Sequence, residues 1–323
     1  ERLAVDEQAV IGRIHALWAL RGLDALSARV IAEALSAGDD RVVIHALRLA
    51  EPHLGTHPQM LARVGSKRLE AQALRYQWLL SQSRHPGWTK SATSGALARR
   101  AVAAWVARPC DRWTRRALVA GCGRHGLVLL DAVLEGWSGR RSVRFEEVRE
   151  VVAMVSELIG SGADAREVSG ALELLDPGQP IAAGREWSGV QLAGLAGLDT
   201  GLRRGGRSLG NPPGGFEAER LAALWRRLVK WAQEPPLASQ AGVATRLLQS
   251  GPRAVVVPAL LIQLTRGDLD ALRSLSAFES EEIGPSVLAR YAELSATGRR
   301  AALDVLIARP SRAVLLIEAI GRG

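Results

Sequence analysis

Six histidines, two cysteines, several paired carboxylates and two tryptophan–arginine clusters are the groups of this sequence with chemical potential. His53 and His57 stand at i and i+4, the spacing with which one helix offers two imidazoles to a metal. Gly55 between them and Pro58 after them argue against a helix, and no third ligand stands near in sequence, so no metal is expected. Cys110 and Cys122 belong to no CxxC or CxxCH pair. With helix between them they lie about 18 Å apart, too far for a disulfide. Gly121-Cys-Gly-Arg-His-Gly126 has the GxGxxG form, but a phosphate cradle needs a strand before it, and WTRRALVA reads as helix. A turn between two helices explains it better. Glu146-Glu147 and Glu281-Glu282 read as helix starts, where acids complement the dipole. Neither a GxxxxGK[ST] loop nor a GxSxG elbow is present.

The tryptophan–arginine clusters are the strongest binding candidates. Trp105, Arg108, Arg112, Trp113, Arg115 and Arg116 form one; Arg226, Arg227 and Lys230, between Trp225 and Trp231, form the other. Such a mixture can stack bases and grip phosphates. The favoured alternative puts Trp105, Trp113, Trp225 and Trp231 in helix cores and the arginines on solvated faces. The net charge of +9 permits a polyanion partner. However, the basic residues are nearly all arginine, spread along the chain and interleaved with acids, so a nucleic-acid partner is not favoured.

Those residues must be positioned by helices. Alanine, leucine and arginine dominate and lose little on entering a helix. Ile14-His15-Ala16-Leu17 recurs as Ile44-His45-Ala46-Leu47, thirty residues on, and each copy sits in an apolar pattern of helical period. Between them Leu26, Val30, Ile31 and Leu35 mark a second amphipathic stretch, and Gly38 with Asp39-Asp40 stops one helix and caps the next. The equivalence of His15 and His45 predicts a recurring contact between helices. Asp40 to Leu47 matches Asp111 to Leu118 in its acid, its arginine, its apolar third position and its Ala-Leu pair; Ala302-Leu303 repeats that pair after Ser295, a candidate cap. Further helices are expected over 95–107, 126–134, 146–159, 186–204, 217–231, 254–264, 269–275, 286–294, 299–308 and 312–320. Gly194, Gly197 and Gly201 along one side of 186–204 predict close helix packing.

The expected fold is all-α, an α-α superhelix of HEAT/armadillo-like repeats, in which stacked hairpins bury a core no single repeat could. Gly/Pro-rich breakers divide the chain into repeats over 1–175, an interruption with one helix over 176–215, and repeats over 216–323. No apolar run is long enough to span a membrane and no signal peptide is recognised. The chain opens in mid-pattern and stops at GRG, which reads as a segment of a larger protein.

The ordered set RIHALWALRGL, DDRVVIHALRLAE, WTRRALVAG, LAGLDTGLRRGG and GRRAALDVLIARPSRAVLLIEAI resembles the HEAT-repeat region of the large membrane-bound dehydrogenase or haem-binding-type proteins of planctomycete-like bacteria. The resemblance implies an exported redox protein in which this region connects a β-propeller dehydrogenase domain to a c-type cytochrome domain. Without it, a cytoplasmic location is expected. Both the propeller and the CxxCH are missing from this sequence, so no catalytic or cofactor-binding residue carries over. The expected partners are flanking protein domains, with no cofactor in this chain.

Overall fold

Acidic and hydroxyl side chains set where many of the helices begin. The computed structural model describes residues 9–89, 91–106, 111–138, 145–176 and 184–322. Ser27 accepts from the Val30 amide at 3.3 Å, Asp39 from that of Arg41 at 2.8 Å and Asp111 from that of Thr114 at 2.8 Å. Asp164, Asp268 and Ser295 cap three more helices in the same way. Each satisfies amides that the first helical turn leaves without partners.

The described residues form α-helices joined by 3-10 turns and loops, with no strand; Ser208 and Asn211 make one isolated bridge. The fold is all-α. Contacts divide the chain into two compact units, Glu1–Val155 and Ser156–Gly323, the division falling inside a helix. The first unit holds α1 (Val10–Gly22), α2 (Ala28–Leu35), α3 (Asp40–Ala50), α4 (Gln72–Ser81), α5 (Ser91–Val106), α6 (Arg112–Gly121) and α7 (Gly126–Ser138). It also holds most of α8 (Phe145–Gly162). The second holds the rest of α8 with α9 (Ala165–Leu174), α10 (Gly184–Arg204), α11 (Ala218–Gln233), α12 (Ala241–Leu247) and α13 (Arg253–Thr265). It continues with α14 (Leu269–Leu275), α15 (Ile283–Arg290), α16 (Ala296–Ile307) and α17 (Pro310–Gly321).

Within the first unit α1, α3, α4 and α6 pack in succession, and α5 packs on α7. Between α3 and α4 the chain makes three 3-10 turns, of which Pro58–Arg63 packs on α2 and buries Met60 and Leu61. Pro58 opens that stretch with a fixed φ and no amide donor, which suits a short turn. Within the second unit α10, α12, α14 and α16 form one row, and α11, α13, α15 and α17 another. The pairs α11–α12, α13–α14 and α16–α17 join the rows.

The segments read as helical by period are helices here, except that 286–294 is α-helix only to Arg290 and a 3-10 turn over Tyr291–Glu293; residue 107 of the 95–107 segment lies outside the described residues. WTRRALVA lies in α6, and Gly121 to Gly126 is the turn into α7, Gly123 taking φ +58°. Gly121 lies so close to the Leu79 carbonyl of α4 that a Cβ would collide with it. The expected packing at Gly201 is also present: a Cβ there would strike the Glu157 carbonyl and approach the Ser161 amide to 2.6 Å. Three details differ. Asp39, not Asp40, caps α3, so the match of Asp40 with Asp111 is one residue out at the cap. His45 contacts the neighbouring helix, whereas His15 is exposed. In α16 the buried stripe is Ala301, Ala302, Val305 and Leu306, and Leu303 faces outward at 36% exposure.

Many arginines brace the packing. Arg68 donates to the carbonyls of Ala37 and Gly38, where α2 turns into α3, and to the Asp40 carboxylate. Arg207 reaches the Ala163 carbonyl at 3.1 Å after α8, and buried Arg312 donates to Phe278 and Val305 carbonyls around α14 and α16. Helix ends leave carbonyls without intrahelical partners, and a guanidinium satisfies several at once.

Candidate functional site

An open groove of about 610 Å³ runs over the row α3, α4 and α6 within the first unit. Ile44 and Arg48 line it from α3, and Gln72, Ala73, Tyr76 and Gln77 from α4. Asp111, Trp113 and Thr114 line it from the start of α6. Because α4 packs on both α3 and α6, it supplies the floor and its neighbours the walls.

The polar groups of the groove are held in place. Arg48 donates through Nε to Gln77 Oε1 at 2.8 Å. The Gln77 amide donates to Glu51 at 3.2 Å, and Ser81 donates to the same carboxylate oxygen at 2.9 Å. The Asp111 carboxyl is occupied as the cap of α6. The Thr114 amide beside it holds it below the usual carboxylate range, aided by the Thr114 hydroxyl and Gln72, against the opposing effect of burial. Trp113 is 49% exposed, with the guanidinium carbons of Arg112 and Arg116 lying 4.8 Å and 5.3 Å from its ring centroid. Each such contact is worth about 0.5–1 kcal/mol at an exposed site. Arg48, Arg112 and Arg116 make no ion pair with a described residue. On the neighbouring α1, Trp18 donates its indole N–H to His45 Nδ1 at 3.0 Å, the two rings meeting edge to face. Burial, and then the charge of Arg48, pushes the His45 pKa down.

The sequence candidates separate in the structure. Trp105 is buried in α5, and Arg108 lies outside the described residues. Arg115 is tied to Glu150 of α8 at 2.9 Å. Arg112 and Arg116 come together on the ring of Trp113, which is the one of the three that lines the groove. Trp113 is therefore not the core residue it was expected to be. It stands at the second position of α6, off the buried stripe of Thr114, Ala117, Leu118 and Gly121. Trp225 and Trp231 are buried as expected, while Arg226, Arg227 and Lys230 are exposed on α11 in the second unit. The groove residues of α3 and α4 were not singled out from sequence. The one available signal was that Arg48 repeats the position of Trp18 thirty residues on.

Burial also lowers the pKa of His85 and of His125, whose ring stacks on buried Trp88 at 5.8 Å. His53 ends a 3-10 turn, and residues 54–56 form a turn before His57, so the pair shares no helix. Among the described residues no three His, Cys, Asp or Glu side chains converge as a metal would need, and no helix is long and apolar enough to cross a membrane. Comparison of the chain with family profiles, with curated proteins and with solved structures finds no match.

Proposed function

We propose that this chain is a non-catalytic scaffold and interaction module built of HEAT-like repeats in an α-α superhelix. The two helix rows of the second unit, each helix meeting the one two elements further on, support that architecture. In a larger protein the module connects a propeller dehydrogenase domain to a c-type cytochrome domain.

The observation that carries the reading is the outer stripe of α17. At 100° per residue Val314, Ile317 and Ile320 lie opposite Arg312, Leu315 and Ala319, the side that faces α15 and α16. The three aliphatics are 54%, 68% and 71% exposed, and Ile307 of α16 is 63% exposed. Each helix of the row α11, α13, α15, α17 is covered by the next, so this stripe continues the row's packing surface onto a neighbouring domain of the same polypeptide. Contiguous apolar surface of this kind marks an interaction site. The intact mass and visible absorption spectrum of the native protein test the reading. A mass well above 34.6 kDa with a c-type haem spectrum is expected; a chain of 34.6 kDa without a chromophore would overturn the connector role.

A further inference from the structure

We infer that residues 82–89, between α4 and α5, form an acid-released latch whose proton-binding group is the imidazole of His85. The inference concerns regulation of the first unit and stands apart from the connector reading.

The stretch Gln82-Ser-Arg-His-Pro-Gly-Trp-Thr89 folds as two 3-10 turns, Gln82–Arg84 and Pro86–Thr89, with His85 extended between them at ψ 120°. The proline that follows imposes that extension. The first turn packs on α6 and the second on α5, so the segment fastens the end of α4 to both helices. Its ties are few and specific. The Trp88 indole N–H donates to the Gln82 carbonyl at 2.9 Å, and the Thr93 hydroxyl donates to the Gly87 carbonyl at 2.7 Å. The Gly87 amide donates to His85 Nδ1 at 2.9 Å. The buried ring of Trp88 stacks on His125, in the turn before α7, with 7° between the planes.

The bond from Gly87 makes the latch depend on charge. Nδ1 accepts only while it carries no proton, whereas a protonated imidazole is a donor at both nitrogens and would set N–H against N–H. The imidazole is seated directly on Gly87, where a Cβ would meet Nδ1 at 2.8 Å and the side chain of Leu97 of α5 at 2.9 Å. Gly87 is buried, so its amide has no water to turn to once Nδ1 is protonated. Burial of the ring, and then the charge of Arg100 on α5, hold the His85 pKa below its ordinary value. Arg100 is itself held over the Trp78 ring at 5.0 Å. Arg84 on the segment and Arg124 beside His125 are exposed. Burial alone lowers the His125 pKa, and attraction between a protonated ring and the indole opposes that effect, so His85 decides the state. The latch is closed above about pH 6.5 and is released as pH falls through the lowered His85 value.

Amide hydrogen exchange of the full chain, read by mass spectrometry and corrected for the chemical rate at each pH, tests the inference. Wild-type peptides covering 82–89 should lose at least about tenfold of their protection between pH 7.5 and pH 5, and regain it on return. Peptides from α3 and α8 should keep theirs. His85→Asn supplies an acceptor that does not titrate and should remove most of the loss. His85→Ala should show the low protection already at pH 7.5. His125→Phe keeps a stacking ring and should leave the wild-type transition in place. The inference is overturned if the wild-type segment keeps its protection at pH 5, or if α3 and α8 lose theirs with it. An unchanged transition in His85→Asn, or its abolition in His125→Phe, would also overturn it. Should His85→Asn not fold at pH 7.5 by circular dichroism, the wild-type and His125→Phe results decide by the same criteria.

Discussion

Gly201→Ala sets two well-known effects against each other, and the structure decides between them. In an exposed helix interior alanine is favoured over glycine by about 1 kcal/mol. Gly201 is in the last turn of α10, and its missing Cβ is where the backbone of α8 passes. An alanine Cβ would overlap the Glu157 carbonyl oxygen and come within 2.6 Å of the Ser161 amide and 2.9 Å of the Gly160 carbonyl carbon. These are backbone atoms, so no rotamer change relieves the clash; the helices must part by about 1 Å. A gap of that size forfeits about a quarter to a half of the dispersion energy of the contacts it opens. Ile159, Leu198 and Leu202 around the crossing are all fully buried. Overpacking against rigid surroundings costs about 1–3 kcal/mol beyond any propensity gain. Gly162→Ala is the control, because nothing lies within 4 Å of that Cβ. Urea unfolding followed by circular dichroism should show Gly201→Ala less stable by about 1–3 kcal/mol and Gly162→Ala within about 0.5 kcal/mol of wild type. Equal or greater stability of Gly201→Ala would refute the crossing.

Three further predictions concern other contacts. Asp199, buried, accepts from the Leu209 amide at 3.0 Å, Ser250 Oγ at 2.7 Å and Arg203 Nε at 2.8 Å, tying the segment after α10 to the 3-10 turn Leu248–Ser250 that follows α12. Asp199→Ala should cost about 2–3 kcal/mol in urea unfolding and speed proteolysis within 205–215; an unchanged cleavage rate would count against that tie. Arg68→Ala should cost about 1–2 kcal/mol in thermal unfolding, and Arg68→Lys should recover little of it, since one ammonium cannot reach two carbonyls and a carboxylate together. Full recovery by lysine would contradict the bracing geometry. His45 has a lowered pKa in the folded chain, so its neutral form supports the fold. That support is complete above about pH 6.5 and is lost as pH falls through the lowered value. The Trp18 indole resonance should therefore shift with a midpoint below about pH 6.5, and a midpoint above it would contradict the contact.

Helices with clean apolar periodicity were legible from sequence, as α11 shows, and so was the Ser295 cap of α16. Three described helices were not. In α4 the core side includes Arg75 and Gln77, both buried, and polar residues there break the pattern on which periodicity depends. In α12 only seven residues are helical, too few to show a period. In α9 the Asp164 cap was visible, but Gly170 interrupts a ten-residue stretch. The loss of α4 hid the groove, because its floor and the partners of Arg48 lie there. Trp113 misled for a different reason: large aromatics usually belong to cores, and only packing shows which side of a helix start is covered. The arginine excess also needed the structure, since sequence does not separate a guanidinium bracing carbonyls from one free to bind.

The most direct test of the interaction-module claim places a photo-reactive side chain at Ile317 of the native protein, with Ile262 of α13, 46% exposed, as the control. The account predicts efficient cross-links from position 317 into peptides of a non-repeat domain of the same polypeptide, and few from position 262. Equal, low cross-linking from both positions would contradict it.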